Sequence, residues 1–513
     1  MKSTAPRAAP FPSPSIVRNG PYTVAIATAA RCRTVTAVCR RSAVAVLRSI
    51  AGGSPPSIVV FLPLFVVGCA AMGSQPGTSP APRPRRFTPE LSSWTSSLQH
   101  PLLQAVPVDP EDGFDPDEVA LLAVVTNPNL RTLRDSRGVA HAQVIAAGLL
   151  PNPVISFQPY IPVAGKTTGS VVGYTGQLAW SLSKLLWRRP QIDAAQFAQQ
   201  RVELDIAWSE WSVAMRAQLL AYQMILLKHA QRIHRANIVE LEEALAHIRH
   251  AASVGSATTA QLASTEAVLT QAQTASAITN RDLAVRAAEI TGMLGGIDGV
   301  VGHLTGDLVP PQDLASLTRD SLTTDLADRR PDLQALRMGM RSQDAAFQAA
   351  TRRAFPSLQL GFQVARDPGD FLAIGPTIQV GFPVFDRGQA GRAAAQAQSA
   401  RLADLFAERS NEARQRIGVA IAEARGGAAT LAVVDRAILR QAKVVDLYEA
   451  ARARGSADIL VYYAARTTLV QLRLQRVRER MRFWQALVQL RSESGYYRLP
   501  SVRGGERGDR DAR

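Results

Sequence analysis

The sequence predicts a mixed α+β membrane protein in which one strand–helical-hairpin unit is used twice. Three observations carry this. Short motifs recur: Pro128-Asn129-Leu130 returns as Pro331-Asp332-Leu333 and Pro153 as Pro356, each displaced by 203 residues. Val254-Gly255-Ser256-Ala257 returns as Arg454-Gly455-Ser456-Ala457, displaced by 200. Both copies also run in the same order: a short helix, a proline, two alternating segments, then a long proline-free stretch. A period this long describes a two-fold pseudo-symmetric protein, not a solenoid array.

The N-terminal region reads as an export signal. Residues Ile58–Met72 form the longest apolar run, 15 residues broken by Pro63. That is short of the roughly 20 residues a membrane-spanning helix needs and suits a signal-peptide core, with Arg48 as its positive flank. It contains Val66-Val67-Gly68-Cys69, which resembles a bacterial lipobox, so Cys69 is the expected lipidation site. Signals usually total about 15–30 residues. The 57 residues before this core therefore suggest a translation start nearer Val44 or Val46. The expected division is a signal region at 1–68 and a lipidated tether at 69–115, rich in Pro, Ser and Thr. A first repeat follows at 116–325 and a second at 326–498, then a disordered basic tail at 499–513.

Within the first repeat, 116–150 reads as helix with a break at Asn127-Pro128. Strands are expected near 154–163 and 171–182: Ile155, Phe157, Ile161 and Val163 share one face, as do Val172, Tyr174, Leu178, Trp180 and Leu182. From Gln191 to Val309 there are 119 residues without proline. Trp208, Trp211, Met215, Leu219, Tyr222 and Leu226 step by three or four, a helical period. Gly255-Ser256 reads as a hairpin tip, with glycine ending one helix and serine capping the next. The second repeat has strands near 357–365 and 372–384, helix over Asp328–Arg353, and a tip at Gly455-Ser456. The outgoing arm, 191–254, has 64 residues, roughly 96 Å of helix. The return, 257–291, is about half that, so helix 328–353 must complete it end to end.

Four strands of about ten residues have the length that crosses an outer membrane at a tilt. Four cannot close a barrel, and open edges are not tolerated in lipid. If these strands sit in a membrane, several chains must therefore share one barrel; a small soluble antiparallel sheet is the alternative.

The layout resembles the TolC family of outer-membrane efflux proteins over roughly residues 115–498. The resemblance rests on Asn127-Pro-Asn-Leu130, Ala147-Gly-Leu-Leu-Pro-Asn-Pro153, Arg329-Arg-Pro-Asp-Leu333, Phe355-Pro-Ser-Leu358 and the two Gly-Ser tips. It implies a homotrimer whose twelve-stranded transmembrane β-barrel continues as a periplasmic α-helical barrel. It implies a lipid-anchored position in the outer membrane of a Gram-negative bacterium. The implied partners are a periplasmic adaptor, meeting Gly255, Ser256, Gly455 and Ser456, and an inner-membrane pump of the resistance-nodulation-division type. The implied role is passive conduction, with no catalysis and no cofactor. Relatives carry an acidic selectivity ring two turns past the second tip glycine. Here those places hold Val461 and Ala464, beside Tyr462 and Tyr463, with Asp458 the nearest acid. A gate closed by packing is expected. A periplasmic adaptor lipoprotein is the rival reading.

The net charge is +16; residues 1–68 contribute eight Lys/Arg and no acid. The remaining charge is spread along helices and mixed with acids, unlike a nucleic-acid-binding stripe. All three cysteines precede residue 70, which excludes a disulfide framework or thiol nucleophile in the body. Glu243, His247 and His250 share a helix face by their spacing, which makes a metal site conceivable and a solvated face the plainer reading.

Overall fold

Two prolines and two caps start the body. In the computed structural model, α1 (Pro116–Thr126) opens with a reciprocal capping box between Asp115 and Glu118, and Pro116 sits in its first turn. Asn127 then caps α2 (Pro128–Gly148) through the backbone N–H groups of Asn129 and Leu130. The structure describes residues 95–105, 108, 111–164, 170–297, 299–306, 308, 314, 317–454 and 459–499. The signal region, Cys69, Gly455, Ser456, Asp458 and residues 500–513 of the tail lie outside them.

Strands β1 (Val154–Tyr160), β2 (Gly173–Ser181), β3 (Ser357–Arg366) and β4 (Leu372–Gly381) form one antiparallel sheet in sequence order. The two halves join where β2 pairs with β3. Ile161, Val163, Val172, Leu182 and Val384, expected on strands, fall just beyond them.

The first long helix, α3 (Ser183–Ser253), has 71 residues, about 105 Å. It begins eight residues before the expected start at Gln191 and takes Pro190 inside it. Proline lacks the N–H that would have met the Leu186 carbonyl; Arg352 Nη1 donates to that carbonyl instead, at 3.2 Å. The first tip also differs. Gly255 adopts φ 76°, but Ser256 closes α3 through the Ala251 carbonyl. Thr258, in a capping box with Gln261, starts α4 (Thr259–Met293). Short helices α5 (Arg319–Thr323) and α6 (Leu326–Arg329) precede α7 (Pro331–Arg352). The expected continuous helix from Asp328 is broken at Arg330, which Pro331 holds extended.

α4 lies against the far half of α3, where Gln231 reaches Asn280 and Arg249 pairs with Glu266. α7 lies against the near half, where Ser342 donates to the Ala194 carbonyl. The second hairpin is α8 (Gln389–Ala453) and α9 (Ile459–Ser494). The core is midway along the helices, where Trp211 and Phe483 are buried and Tyr222 stacks on Trp484 at 4.4 Å.

Part of the expected tether is packed into this core. Leu103 and Phe114 are buried, so the chain before α1 is a strap along the bundle. His100 pins it. Its ring, 1% exposed, faces the Ala207 carbonyl through Nε2 at 2.9 Å and accepts Leu102 N–H and Leu103 N–H at Nδ1, each at 3.0 Å. These contacts select the neutral ring with its proton on Nε2. Burial lowers its pKa from 6.5, against the pull of Glu210; Arg134 holds that carboxylate at 2.6 Å. A histidine with a lowered folded pKa contributes full stability above the unfolded value and loses it as pH falls below about 6.5. The protection factors of the Leu102 and Leu103 amides, each taken against the intrinsic exchange rate at its own pH, should therefore be lower at pH 5 than at pH 7.5. Equal protection at both would refute the pinning.

Candidate functional site: the two-faced sheet and the hairpin gate

The strand registers sort the sheet into two chemically distinct faces. Residues directly opposite one another share a face. One face carries Ile155, Leu178 and Phe362 in one row, with Trp180, Leu360 and Ile378 in the next. The other carries Ser156, Gln177 and Gln363, then Gln359 opposite Gln379. No strand residue on this second face is charged. The apolar face is not covered by the helices: Ile155, Phe157, Phe362, Ile374 and Ile378 are all exposed. An apolar face this continuous is not left to water in a soluble protein.

Near the far end of the hairpins, Arg466 on α9 joins the two halves of the chain. Its guanidinium grips Glu240 on α3 with two nitrogens and donates a third bond to the Tyr462 hydroxyl. The Glu240 hydrogen bond raises the Arg466 pKa, so the cation is permanent. Arg452 sits over the Tyr462 ring at 5.1 Å, and Tyr463 meets it edge-on at 5.2 Å. Burial raises the Tyr463 pKa.

Two of the residues expected at the gate, Tyr462 and Tyr463, thus lie beside this cross-hairpin contact. Tyr462 is 3% exposed and packs with Val445, Ala465 and Leu469, so its ring is bound into the seam between α8 and α9. Val461 and Ala464 are exposed on the opposite side of α9. Glu240 and Arg466, which tie the two hairpins near their far end, lie 226 residues apart and have no local sequence signal. Glu243, His247 and His250 are each exposed on α3. Among the described residues no group of three His, Cys, Asp or Glu is placed to hold a metal ion.

No protein-family model and no curated protein matches this chain by sequence. Solved structures do match. The chain is similar to a membrane protein from Pseudomonas aeruginosa at 18% identity and a TM-score of 0.62, covering 75% of this chain and 93% of that one. It is similar to the outer-membrane channel OprN at 16% identity and a TM-score of 0.61, covering 81% and 98%. It is similar to CusC, described with transmembrane channel formation, at 16% identity and a TM-score of 0.60, covering 81% and 99%. The fold is that of an outer-membrane channel.

Within this channel fold, Arg329-Arg330-Pro331-Asp332 is a clamp on the end of α9. Arg329 donates to the carbonyls of Ser494 and Thr324 and lies 3.7 Å over the Tyr496 ring. Arg330 makes two parallel bonds to Asp332, at 3.0 and 2.9 Å. It also meets the carbonyl and carboxylate of Glu493 and lies over Trp208. Two guanidinium groups thus satisfy the last carbonyls of a helix, where the dipole favours cations.

Proposed function

We propose that the protein is the outer-membrane channel of a tripartite efflux system and conducts solutes passively from a periplasmic adaptor and an inner-membrane pump. The observation that carries this reading is the sheet. Its apolar face suits lipid, its uncharged polar face suits a water-filled lumen, and β1 and β4 each have an edge that no strand among the described residues covers. Three copies joined edge to edge make the twelve-stranded barrel.

A seam on α8 supports the same assembly. Val419, Ala422, Gly426, Ala429 and Val433 step by three and four on the side away from α9 and are exposed in the single chain. Small apolar residues at that spacing let a second helix approach closely. They also help make α8 the one helix among the described residues that is apolar enough, by length and composition, to cross a membrane. In this reading the seam meets a neighbouring copy. Cys69 carries the lipid anchor. The tips at Gly255-Ser256 and Gly455-Ser456 meet the adaptor. The gate region comprises Asp458, Val461, Tyr463 and Ala464, with Tyr462 as part of its internal latch. A pump of the resistance-nodulation-division type supplies the energy, and the chain has no reaction of its own.

The test is reconstitution in planar bilayers. The detergent-extracted protein should run as a heat-modifiable trimer and form pores. In a salt gradient, Gln363→Glu should shift the reversal potential toward cation selectivity, because it places a carboxylate in each copy of an otherwise uncharged girdle. Pores with an unmoved reversal potential would remove Gln363 from the lumen. A monomer without pores would remove the channel.

A further inference from the structure

Several helix ends meet one end of the sheet. Ser181 pairs with Gln359 and Ser357 with Gly381, so β2 finishes, β3 starts and β4 finishes at one level. The adjoining helices are tied together there. Arg352 holds the Leu186 carbonyl, and Arg188 holds the Gly148 carbonyl through two nitrogens at 2.8 and 2.6 Å. Gly388, at φ 73°, lies against the Ala350 carbonyl, where a Cβ would collide. The first turns of α3, the end of α7 and the start of α8 therefore form one rigid collar.

Four cations stand out from this collar: Lys184, Arg189, Arg353 and Arg387. All are exposed, and none has a salt bridge or side-chain hydrogen bond among the described residues. The nearest acid in sequence, Asp386, accepts the Gly388 N–H at 2.9 Å. Exposed apolar side chains share the level: Leu149, Leu185, Phe355, Phe382 and Phe385, the last 91% exposed. The opposite end of the sheet differs, with Asp367 and Asp370 in the β3–β4 turn and Arg366 paired to Asp370. Unpaired cations beside exposed aromatic rings, at one rim of an apolar sheet face, match the chemistry of a membrane surface with negative headgroups.

We propose that Lys184, Arg189, Arg353 and Arg387 form a belt that binds the phosphate groups of anionic phospholipids in the leaflet nearest the helices. This rests on the reading of the sheet as membrane-spanning. The collar fixes the backbone beneath each cation, so the belt holds a constant height relative to the apolar face. Arg188 and Arg352 do not join it, because their guanidinium groups are bound to carbonyls.

The experiment uses the full chain in nanodiscs of phosphatidylcholine with a minor fraction of phosphatidylglycerol. The readout is the ratio of the two lipids retained by the protein in native mass spectrometry. Each cation near an anionic surface adds a several-fold preference, so phosphatidylglycerol should be enriched on the order of tenfold. K184Q/R189Q/R353Q/R387Q should lose the enrichment, and R189K/R353K/R387K should keep it. If the fourfold variant is not recovered, R353Q and R387Q singly should each lower it. No enrichment by the wild type, or enrichment kept in the glutamine variants, overturns the belt while leaving the channel intact. Failure of the wild type to enter nanodiscs overturns the membrane reading itself.

Discussion

Arg466→Ala should open the channel. The substitution removes both bonds to Glu240, which tie α9 of the second hairpin to α3 of the first near the hairpins' far end, and the bond to Tyr462 within α9. Hydrogen bonds to charged groups contribute about 1.5–3 kcal/mol when sheltered. Here the two side chains are 32% and 28% exposed, so about 1 kcal/mol per pair remains after screening. In the proposed trimer three such pairs would close one gate, for a total of about 3 kcal/mol. That is on the order of a hundredfold in the ratio of open to closed states. Single-channel recording should show a large rise in open probability, and Glu240→Gln a smaller rise because its amide still accepts one bond. Raised salt should act in the same direction. Unchanged gating in Arg466→Ala would mean that the hairpins are held elsewhere.

Arg330→Ala should have the largest effect on stability. Arg330 is 6% exposed at its side chain, and its two carboxylate partners are nearly as buried. Removing the cation leaves Asp332 without its bidentate partner. Glu493 keeps only Arg416, at 3.1 Å. Breaking a buried pair in this way costs about 3–5 kcal/mol. The Glu493 carbonyl near the end of α9 also loses its donor. Arg330→Lys should recover little of this, because an ammonium cannot make the parallel pair to Asp332 or stack on Trp208. Thermal unfolding of the detergent-extracted protein should show a fall in Tm for both variants, larger for alanine. A fall of a degree or less would sink the clamp.

The parts of the fold that were legible in the sequence obey local rules. Strand alternation at Leu358, Leu360 and Phe362 reports a two-sided sheet because side-chain direction reverses at every residue. Asn127-Pro128 marks a helix boundary because the cap and the fixed φ act within one turn. The rest depended on distance. Pro190 reads locally as a helix breaker, and the arginine that satisfies its orphaned carbonyl is 166 residues away. The first tip is the exception: Ser256 and Thr258 are both good caps, and a local signal, the capping-box spacing of Thr258 to Gln261, decides between them. Tyr462 reads as a gate from its distance to the second tip. Its burial follows from the opposing face of α8 and from Arg466. Glu240 and Arg466 lie 226 residues apart and share no motif.

In the proposed ring of three, the two sheet edges left uncovered among the described residues make every copy answerable for its neighbours. A defect in β1 or β4 of one chain denies pairing to the adjacent one, so damage in a ring of three is not diluted by healthy copies. If half the chains carried such a lesion, roughly one ring in eight would be assembled from sound copies alone. Alleles that disturb these edge strands should therefore behave as dominant-negative in a cell that also makes the intact protein. Lesions confined to the strap before α1 should be recessive.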